Sequence, residues 1–368
     1  MVEWKKIEEI CIVLTGGDAP ENCIKGQVNP SIENPYPIYS NGDDVYGYCS
    51  SYRVSKDAVT ISSIGNVGSV NYRSANFTPI IRLKVVIPSS PSLKTKFLYY
   101  TLLGYKFVGT NSSLSSMKAA DIKRLLIPIP SLSEQNRIVG ILDTFTASID
   151  NLKEQIAQRR KQYEYYRDEL LGLEGKEGVE MKTLGEVCII KNGYTPSTKN
   201  SDFWDGGTLS WFTLEDIRKN GRILNDAIKH ITPLGVKKGG LFSANSIIVS
   251  TTATIGEYAL ILTDFLCNQQ ISCLSIKDTN IVLPKFLYFL APHIGEWCKK
   301  NVNGGGSLLI VSTNKLQKVT IPIPSLSEQQ RIVSILDTFE ASIQNLEAQL
   351  EQRQKQYEYY RNKLLTFE

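Results

Sequence analysis

The chain reads as α+β: two mixed α/β globular domains, each followed by one long helix, in a pseudo-two-fold internal repeat. Three observations predict this. Residues 127–171 are written again as residues 321–365, at a fixed offset of 194 positions and with 34 of 45 residues identical. Both copies carry a helical apolar pattern for most of their length. The segments ahead of them share short β-rich runs but differ almost completely in sequence. Two copies are too few for a solenoid, which needs at least three stacked units to bury a core. A pair instead suggests the covalent counterpart of an isologous dimer.

Taken in chain order, the first shared piece is EWKKIEEICIVLTGG (residues 3–17), which matches EMKTLGEVCIIKNGY (residues 180–194) at an offset of 177. That alignment places Cys11 over Cys188 and Gly16 over Gly193. Strands are expected over residues 58–64 and 79–87 in the first domain, and over 246–252 and 270–276 in the second. These runs are rich in Val, Ile, Thr and aromatics and are bounded by Gly, Pro, Asn and Ser. The repeat resumes as SSLSSMKAADIKRLLIPIP over GSLLIVSTNKLQKVTIPIP at the full offset of 194.

Each Ile-Pro-Ile-Pro run must be extended, because the residue before a proline is pushed out of the helical region. A capping box then starts a helix, Ser131 with Glu134 and Ser325 with Glu328. Apolar residues follow at spacings alternating four and three, as in a coiled-coil seam. In the first helix they are Ile138, Leu142, Phe145, Ile149, Leu152, Ile156, Tyr163, Tyr166 and Leu170; in the second, Ile332, Leu336, Phe339, Ile343, Leu346, Leu350, Tyr357, Tyr360 and Leu364. Arg159 and Arg353 fill the one interrupted seam position in each. Each helix should run for roughly 55 to 60 Å at 1.5 Å per residue, and the two should pack on each other. Gly172, Gly175 and Gly178 in a charged run read as a short flexible linker. The expected boundaries are a first domain at 1–130, a helix at 131–171, a linker at 172–180, a second domain at 181–324 and a second helix at 325–368.

At 368 residues, 42% hydrophobic and 21% charged, the chain has the composition of an ordinary globular protein with room for two cores. No run is apolar and long enough for a membrane span, and the start MVEWKKIEE has no signal-peptide pattern. Seven cysteines without a CxxC pair suggest reduced, packed thiols and a cytoplasmic protein. The net charge of +4 is unevenly spread. Residues 1–126 hold 14 Lys and Arg against 10 Asp and Glu, residues 181–320 hold 15 against 10, and the remainder holds 12 against 17. The globular domains therefore suit a polyanion, and the helices suit a protein partner.

Catalytic signatures are sparse. His230 and His293 have no metal-ligand spacing, and no GxxxxGK[ST] phosphate loop occurs. Asn34-Pro35-Tyr36-Pro37 only approximates the Asn-Pro-Pro-aromatic motif of amino-methyltransferases. Gly304-Gly305-Gly306 lacks the strand-to-helix setting of a phosphate loop. No metal site and no nucleophile, base and oxyanion set can be assigned.

The twice-written IPIP-SLSEQ-RIV-ILD helix, each copy following a variable domain that begins LGEVCIIKNGYTPS or its counterpart, resembles the specificity (S, HsdS) subunit of type I restriction-modification systems. The resemblance covers essentially the whole chain. It implies two target recognition domains, each reading half of a bipartite, asymmetric DNA site. It also implies that the helices form an antiparallel coiled coil, a central and a distal spacer, that sets half-site separation and docks two methyltransferase (M) subunits. Catalysis would then lie in partner chains. S-adenosylmethionine would be bound by the methyltransferase, and ATP and Mg by restriction (R) subunits, with no cofactor on this chain. Antiparallel helices would let both domains enter grooves on one face of double-stranded DNA about one helical turn, ~34 Å, apart.

Groove readout needs Arg, Lys, Asn, Gln, Ser or Thr side chains on loops. In the second domain STTATIG and the following NQQ resemble a family pattern and point to Thr251, Thr252, Asn268 and Gln269. Lys199, Trp211, Thr213, Arg218, Lys219, Asn303, Gly304 and Gly305 join them. In the first domain ISSIGNVG points to Ser62, Ser63 and Asn66, with Asn41, Tyr46, Tyr48, Arg53, Tyr72, Arg73 and Lys106. Related proteins often carry an arginine in the loop before that glycine, where this chain has Gly65 and Ala253. Helix pairing should rest on Leu142, Phe145, Ile149, Leu152, Ile156, Arg159, Tyr163, Leu336, Phe339, Ile343, Leu346, Leu350, Arg353 and Tyr357. Two other classes remain: a coiled-coil scaffold without a nucleic-acid role, and an enzyme carrying its own methyltransferase or nuclease centre.

Overall fold

A computed structural model of the chain describes residues 2–21, 23–105, 107, 117–303 and 309–367. It divides into two compact units, residues 1–155 with 346–368, and residues 156–345. The first long helix, Leu132–Leu171, gives its beginning to the first unit and its end to the second; the second, Leu326–Leu365, does the reverse.

Each unit is closed by a two-stranded ribbon. In the first unit Glu3–Lys6 runs antiparallel to Leu126–Ile129, with Glu3 opposite Ile129. In the second Glu180–Thr183 runs antiparallel to Thr320–Ile323, with Glu180 opposite Ile323. The sequence offsets of 177 and 194 are thus one register repeated. Pro128 and Pro322, which have no N–H to donate, fit such a ribbon because each strand has a free edge.

The main sheet of the first unit is ordered Cys11–Thr15, Lys84–Pro88, Ala58–Ile61, Val70–Arg73, antiparallel throughout. The second unit repeats that order with Cys188–Asn192, Ile271–Ile276, Ser246–Ser250 and Tyr258–Ile261, then adds Ile223–Leu224 as a parallel edge strand. Ala58–Ile61 and Ser246–Ser250 are buried at every position, because both faces of the sheet are covered. Val59, Ile61 and Val86 pack with Phe97 and Leu98 of the Thr95–Leu103 helix. Ala58, Val85 and Ile87 join Phe77 in a separate cluster. In the second unit Ile247 and Val249 pack with Phe286 of the Pro284–Lys300 helix, and Ile248, Ala259 and Ile261 pack with Phe212 and Phe265. The aligned glycines have one shared reason. A Cβ on Gly16 would lie 2.8 Å from the Ile80 amide nitrogen, and one on Gly193 would overlap the Cys267 carbonyl oxygen.

The second sheets differ. The first unit has four strands, Ile24–Lys25, Val45–Cys49, Tyr36–Tyr39 and Thr78–Pro79; the second has three, Lys229–Ile231, Leu209–Phe212 and Phe265–Cys267.

The starts of the long helices depart from the expected box. Ser131 Oγ accepts from the Glu134 amide at 3.3 Å, and Ser325 Oγ from Glu328 at 3.3 Å. The carboxylates, however, fork onto Arg137 and Arg331 rather than closing on the cap residue. A buried glutamine supplies the missing anchorage. Gln135 donates to the Ser92 and Pro130 carbonyls at 2.7 and 2.9 Å and accepts from the Lys94 amide at 2.9 Å. Gln329 makes the same three bonds, to Ile281, Pro324 and Leu283, at 2.8, 2.9 and 2.9 Å. Each ties a long helix to the segment that leads into the helix covering its sheet.

Within each unit the beginning of one long helix packs along the end of the other, so the pairing is antiparallel. In the first unit Phe145 stacks on Tyr360 at 5.3 Å, with Arg353 5.7 Å over its ring. In the second unit Phe339 stacks on Tyr166 at 5.4 Å, with Arg159 5.9 Å over its ring. The seam arginines are therefore cation–π partners of the seam phenylalanines, their charge kept at the margin of the apolar stripe. Leu142, Ile149, Ile156 and Leu336 are buried; Leu152, Tyr163, Ile343, Leu346, Leu350 and Tyr357 are half-buried. Tyr166 remains 45% exposed, so it caps Phe339 from outside the seam rather than filling it.

The glycine run holds two positive-φ glycines and is flanked by buried leucines. Gly175 and Gly178 take φ of 73° and 77°, which suits glycine in tight turns. Leu171 and Leu173 on either side of Gly172 are both buried in the second unit's core. No helix among the described residues is long and apolar enough to cross a membrane.

Candidate nucleic-acid interface

One hairpin is the same in both units. Residues 62–68 join Ala58–Ile61 to Val70–Arg73, and residues 250–256 join Ser246–Ser250 to Tyr258–Ile261. The Gly68 amide donates to the Ser62 carbonyl at 2.9 Å, and the Gly256 amide to the Ser250 carbonyl at 3.0 Å. Gly65 and Ala253 take φ of 74° and 63°, and Gly68 and Gly256 take 90° and 94°. The left-handed conformation costs an L-residue roughly 1 to 2 kcal/mol, so Ala253 holds the loop's shape against a penalty. The matching angles align Ser62 with Ser250, Ser63 with Thr251, Gly65 with Ala253 and Asn66 with Thr254.

Polar ties hold each loop from below. In the first unit Asn41 Oδ1 accepts from the Ser63 amide at 2.7 Å, and Ser62 Oγ donates to the Asn41 carbonyl at 2.7 Å. In the second, Ser272 Oγ lies 3.0 Å from Thr251 Oγ1 and donates to Asn192 Oδ1 at 2.7 Å. Lys84 occupies the position of Ser272, paired with Thr15 where Ser272 pairs with Asn192. Its ammonium donates to Thr15 Oγ1 at 3.3 Å, and burial lowers its pKa.

The residues expected on this surface divide by what their side chains touch. Tyr48, Ser62, Ser63, Trp211 and Thr251 are buried. Trp211 donates to the Tyr194 carbonyl at 3.0 Å and meets Trp204 edge to face. Thr213 N and Oγ1 both donate to Asp216 Oδ2, fixing the start of Leu214–Asn220. Arg73 lies 3.8 Å over the Tyr39 ring and donates to the Asp43 carbonyl at 2.9 Å; burial is the main influence on its pKa and lowers it. Tyr72 donates to Asp57, and burial with that carboxylate pushes its pKa up to about 12. Tyr46 is half-buried under Lys25. In all of these the side chain faces protein.

Other candidates are accessible but engaged. Arg218 grips Glu257 through two nitrogens, and Lys219 pairs with Glu215 at 2.6 Å. Gln269 Oε1 accepts from Thr195 at 2.5 Å, and Asn268 Oδ1 accepts from the Gln270 amide at 3.1 Å. Thr252 is half-buried and bridges to Ile310, as does exposed Asn303. Arg53, Asn66 and Lys199 are exposed. Lys106, Gly304 and Gly305 lie outside the described residues.

Two residues absent from the sequence reading stand on this surface. Thr254 is exposed at the second loop's tip in the place of Asn66, and only the paired φ angles reveal the match. Arg82 is exposed on a turn beside the first loop, joined to it by Ser63 Oγ donating to the Arg82 carbonyl at 2.7 Å. The sequence places Arg82 inside what reads as one long strand, so nothing marks it as a turn.

Comparison with known proteins adds an independent line. The family model described as the type I restriction modification DNA specificity domain matches residues 1–159 and again residues 176–353. The chain is 42% identical over 206 residues to the type I restriction enzyme EcoprrI specificity subunit of Escherichia coli, covering 52% of this chain and 51% of that one. It is 36% identical over 294 residues to the EcoR124I/EcoR124II specificity subunit of Escherichia coli, covering 73% and 71%. Its fold is similar to a crystal structure of a type I restriction-modification system S subunit from M. genitalium, with a TM-score of 0.65 at 16% identity over 100% of this chain and 97% of that one.

Proposed function

Because this chain belongs to the type I restriction-modification DNA specificity family, we infer that it selects the DNA sequence on which a type I complex acts. The observation that carries this is the double match: two specificity domains in one chain, on one repeated frame, with different loops. A shared frame presents both domains in the same way, and different loops present different side chains to base edges. The two half-sites should therefore differ and the complete site should be asymmetric.

Direct readout supplies sequence information, whereas phosphate contacts supply affinity without it. The excess of Lys and Arg in both globular segments fits the second task. The repeated aromatic and arginine seam and the acidic helices fit docking of methyltransferase subunits, and two equivalent halves fit two copies. We assign methylation and cleavage to partner chains, S-adenosylmethionine to the methyltransferase, and ATP with Mg to restriction subunits. The absence of a phosphate-loop motif from the sequence supports that division. A scaffold without a DNA role accounts for the helices but not for the two matched hairpins.

The test maps methylated adenines genome-wide in cells producing this chain with its methyltransferase, against cells lacking this chain alone. A bipartite, asymmetric motif that vanishes with the chain is expected. An active methyltransferase whose motif is the same in both strains would overturn the assignment.

A further inference from the structure

Beside the first loop, the turn at residues 80–83 places two successive side-chain-bearing residues in the left-handed region, Ile81 at φ 52° and Arg82 at φ 59°. A β-branched residue there is a conformational outlier, and such strain persists only where surrounding structure enforces it. Four hydrogen bonds do so. The Ile81 amide donates to Gly17 at 2.8 Å and the Arg82 amide to Gly16 at 3.0 Å. The Ile81 carbonyl accepts from Asn41 Nδ2 at 2.5 Å, and the Arg82 carbonyl accepts from Ser63 Oγ at 2.7 Å. Asn41 and Ser63 are the same residues that shape the loop carrying Asn66. Turn and loop are therefore one polar assembly.

The assembly has a counterpart in the second unit. Thr15 pairs with Lys84 as Asn192 pairs with Ser272, so Arg82, two residues before Lys84, corresponds to Gln270. The Gln270 carbonyl accepts from the Thr251 amide at 2.8 Å, whereas the Arg82 carbonyl accepts from the Ser63 hydroxyl, the Ser63 amide being taken by Asn41. The strand register is common to both units while the turn and the side chains differ: Asn66 with Arg82, which has a positive φ, in one, and Thr254 with Gln270, which lies outside the left-handed region and accepts from Asn268 Nδ2 at 3.4 Å, in the other. Among the described residues no acidic group is paired with the Arg82 guanidinium. Arginine suits guanine O6 and N7, and asparagine or glutamine suits adenine N6 and N7.

We propose that Arg82 and Asn66 are the base-discriminating side chains of the first unit, with Gln270 and Thr254 in the equivalent positions of the second. This rests on the DNA-selecting role inferred above.

The test uses the complex of this chain with its methyltransferase, selecting bound sites from a random duplex library at two salt concentrations. Wild type, Arg82→Gly, Asn66→Ala and Thr254→Val are compared, glycine being chosen because it keeps the positive φ without strain. Arg82→Gly and Asn66→Ala should each lower discrimination at a base of one half-site by about 10- to 100-fold, leaving the other half-site unchanged; Thr254→Val should do the converse. A motif unaltered by all three, or an Arg82→Gly complex weakened equally on every sequence as for a phosphate contact, would overturn the proposal while leaving the DNA-selecting role intact. A wild-type complex that selects no motif would remove both.

Discussion

The two units agree where the chain must hold itself together and differ in their second sheets and at their exposed loop tips. Ribbon register, main-sheet order, buried glutamine and aromatic seam recur in both. The second sheets have four strands in one unit and three in the other, and the exposed tip side chains are not the same. Packing and hydrogen-bond satisfaction admit few solutions, whereas an exposed loop is constrained by its backbone and leaves its side chains open. The lesson is that the repeated frame fixes the loop backbone while the side chains on it are free to differ.

The comparison can be broken first at the glutamines. Gln135→Ala should leave the Ser92 and Pro130 carbonyls and the Lys94 amide without a partner, at a cost of about 2 to 4 kcal/mol. Gln329→Ala should cost a similar amount in the second unit. Urea denaturation gives the loss, and amide hydrogen exchange shows which unit loosens. Markedly unequal losses would mean that the latch is not a shared element.

A smaller effect is expected at the seam. Phe145→Ala and Phe339→Ala each remove a half-buried ring held between a tyrosine and an arginine, which should cost about 1 to 3 kcal/mol. Calorimetry on the single and double variants tests whether the two seams contribute alike.

The smallest effect should sharpen a difference. Glu340 sits in the second unit's helix pair, accepting from Tyr163 at 3.2 Å and Tyr288 at 3.3 Å. In the first unit the equivalent position is Thr146, which lies 3.3 Å from Tyr100. Burial raises the Glu340 pKa despite those hydrogen bonds. The charged form is therefore disfavoured by folding, and the penalty is fully present above the raised folded pKa. It fades as pH falls through that value toward the ordinary carboxylate range. Glu340→Gln, whose carbonyl can still accept from the tyrosines, should stabilise the protein above neutral pH, with the advantage shrinking on acidification. A pH series of urea midpoints in which the gain instead grew toward acid would contradict this account.

Much of the frame was legible. The Ile-Pro-Ile-Pro runs, the helix starts, the four-and-three seam and the aligned glycines are local or periodic signals. The site was less so. Ser62, Ser63 and Thr251 look like loop hydroxyls in sequence but are buried beneath their loops. Arg73 and Trp211 look like groove readers but are fastened to Tyr39 and Tyr194. Arg82 was hidden within an apparent strand.

By itself, the amino-acid sequence determined the duplication, the two long helices with their pairing faces, and the resemblance that names a function. Each depends on periodicity or repetition along one chain. Tertiary structure alone decided which polar side chains are buttresses and which are free, that Gln135 and Gln329 anchor the helices, and that Asn66 shares a platform with Arg82. Those outcomes depend on neighbours brought together from distant positions, as Asn41, Ser63 and Arg82 are. A polar residue in a loop has the same local signature whether its partner is another part of the protein or a base.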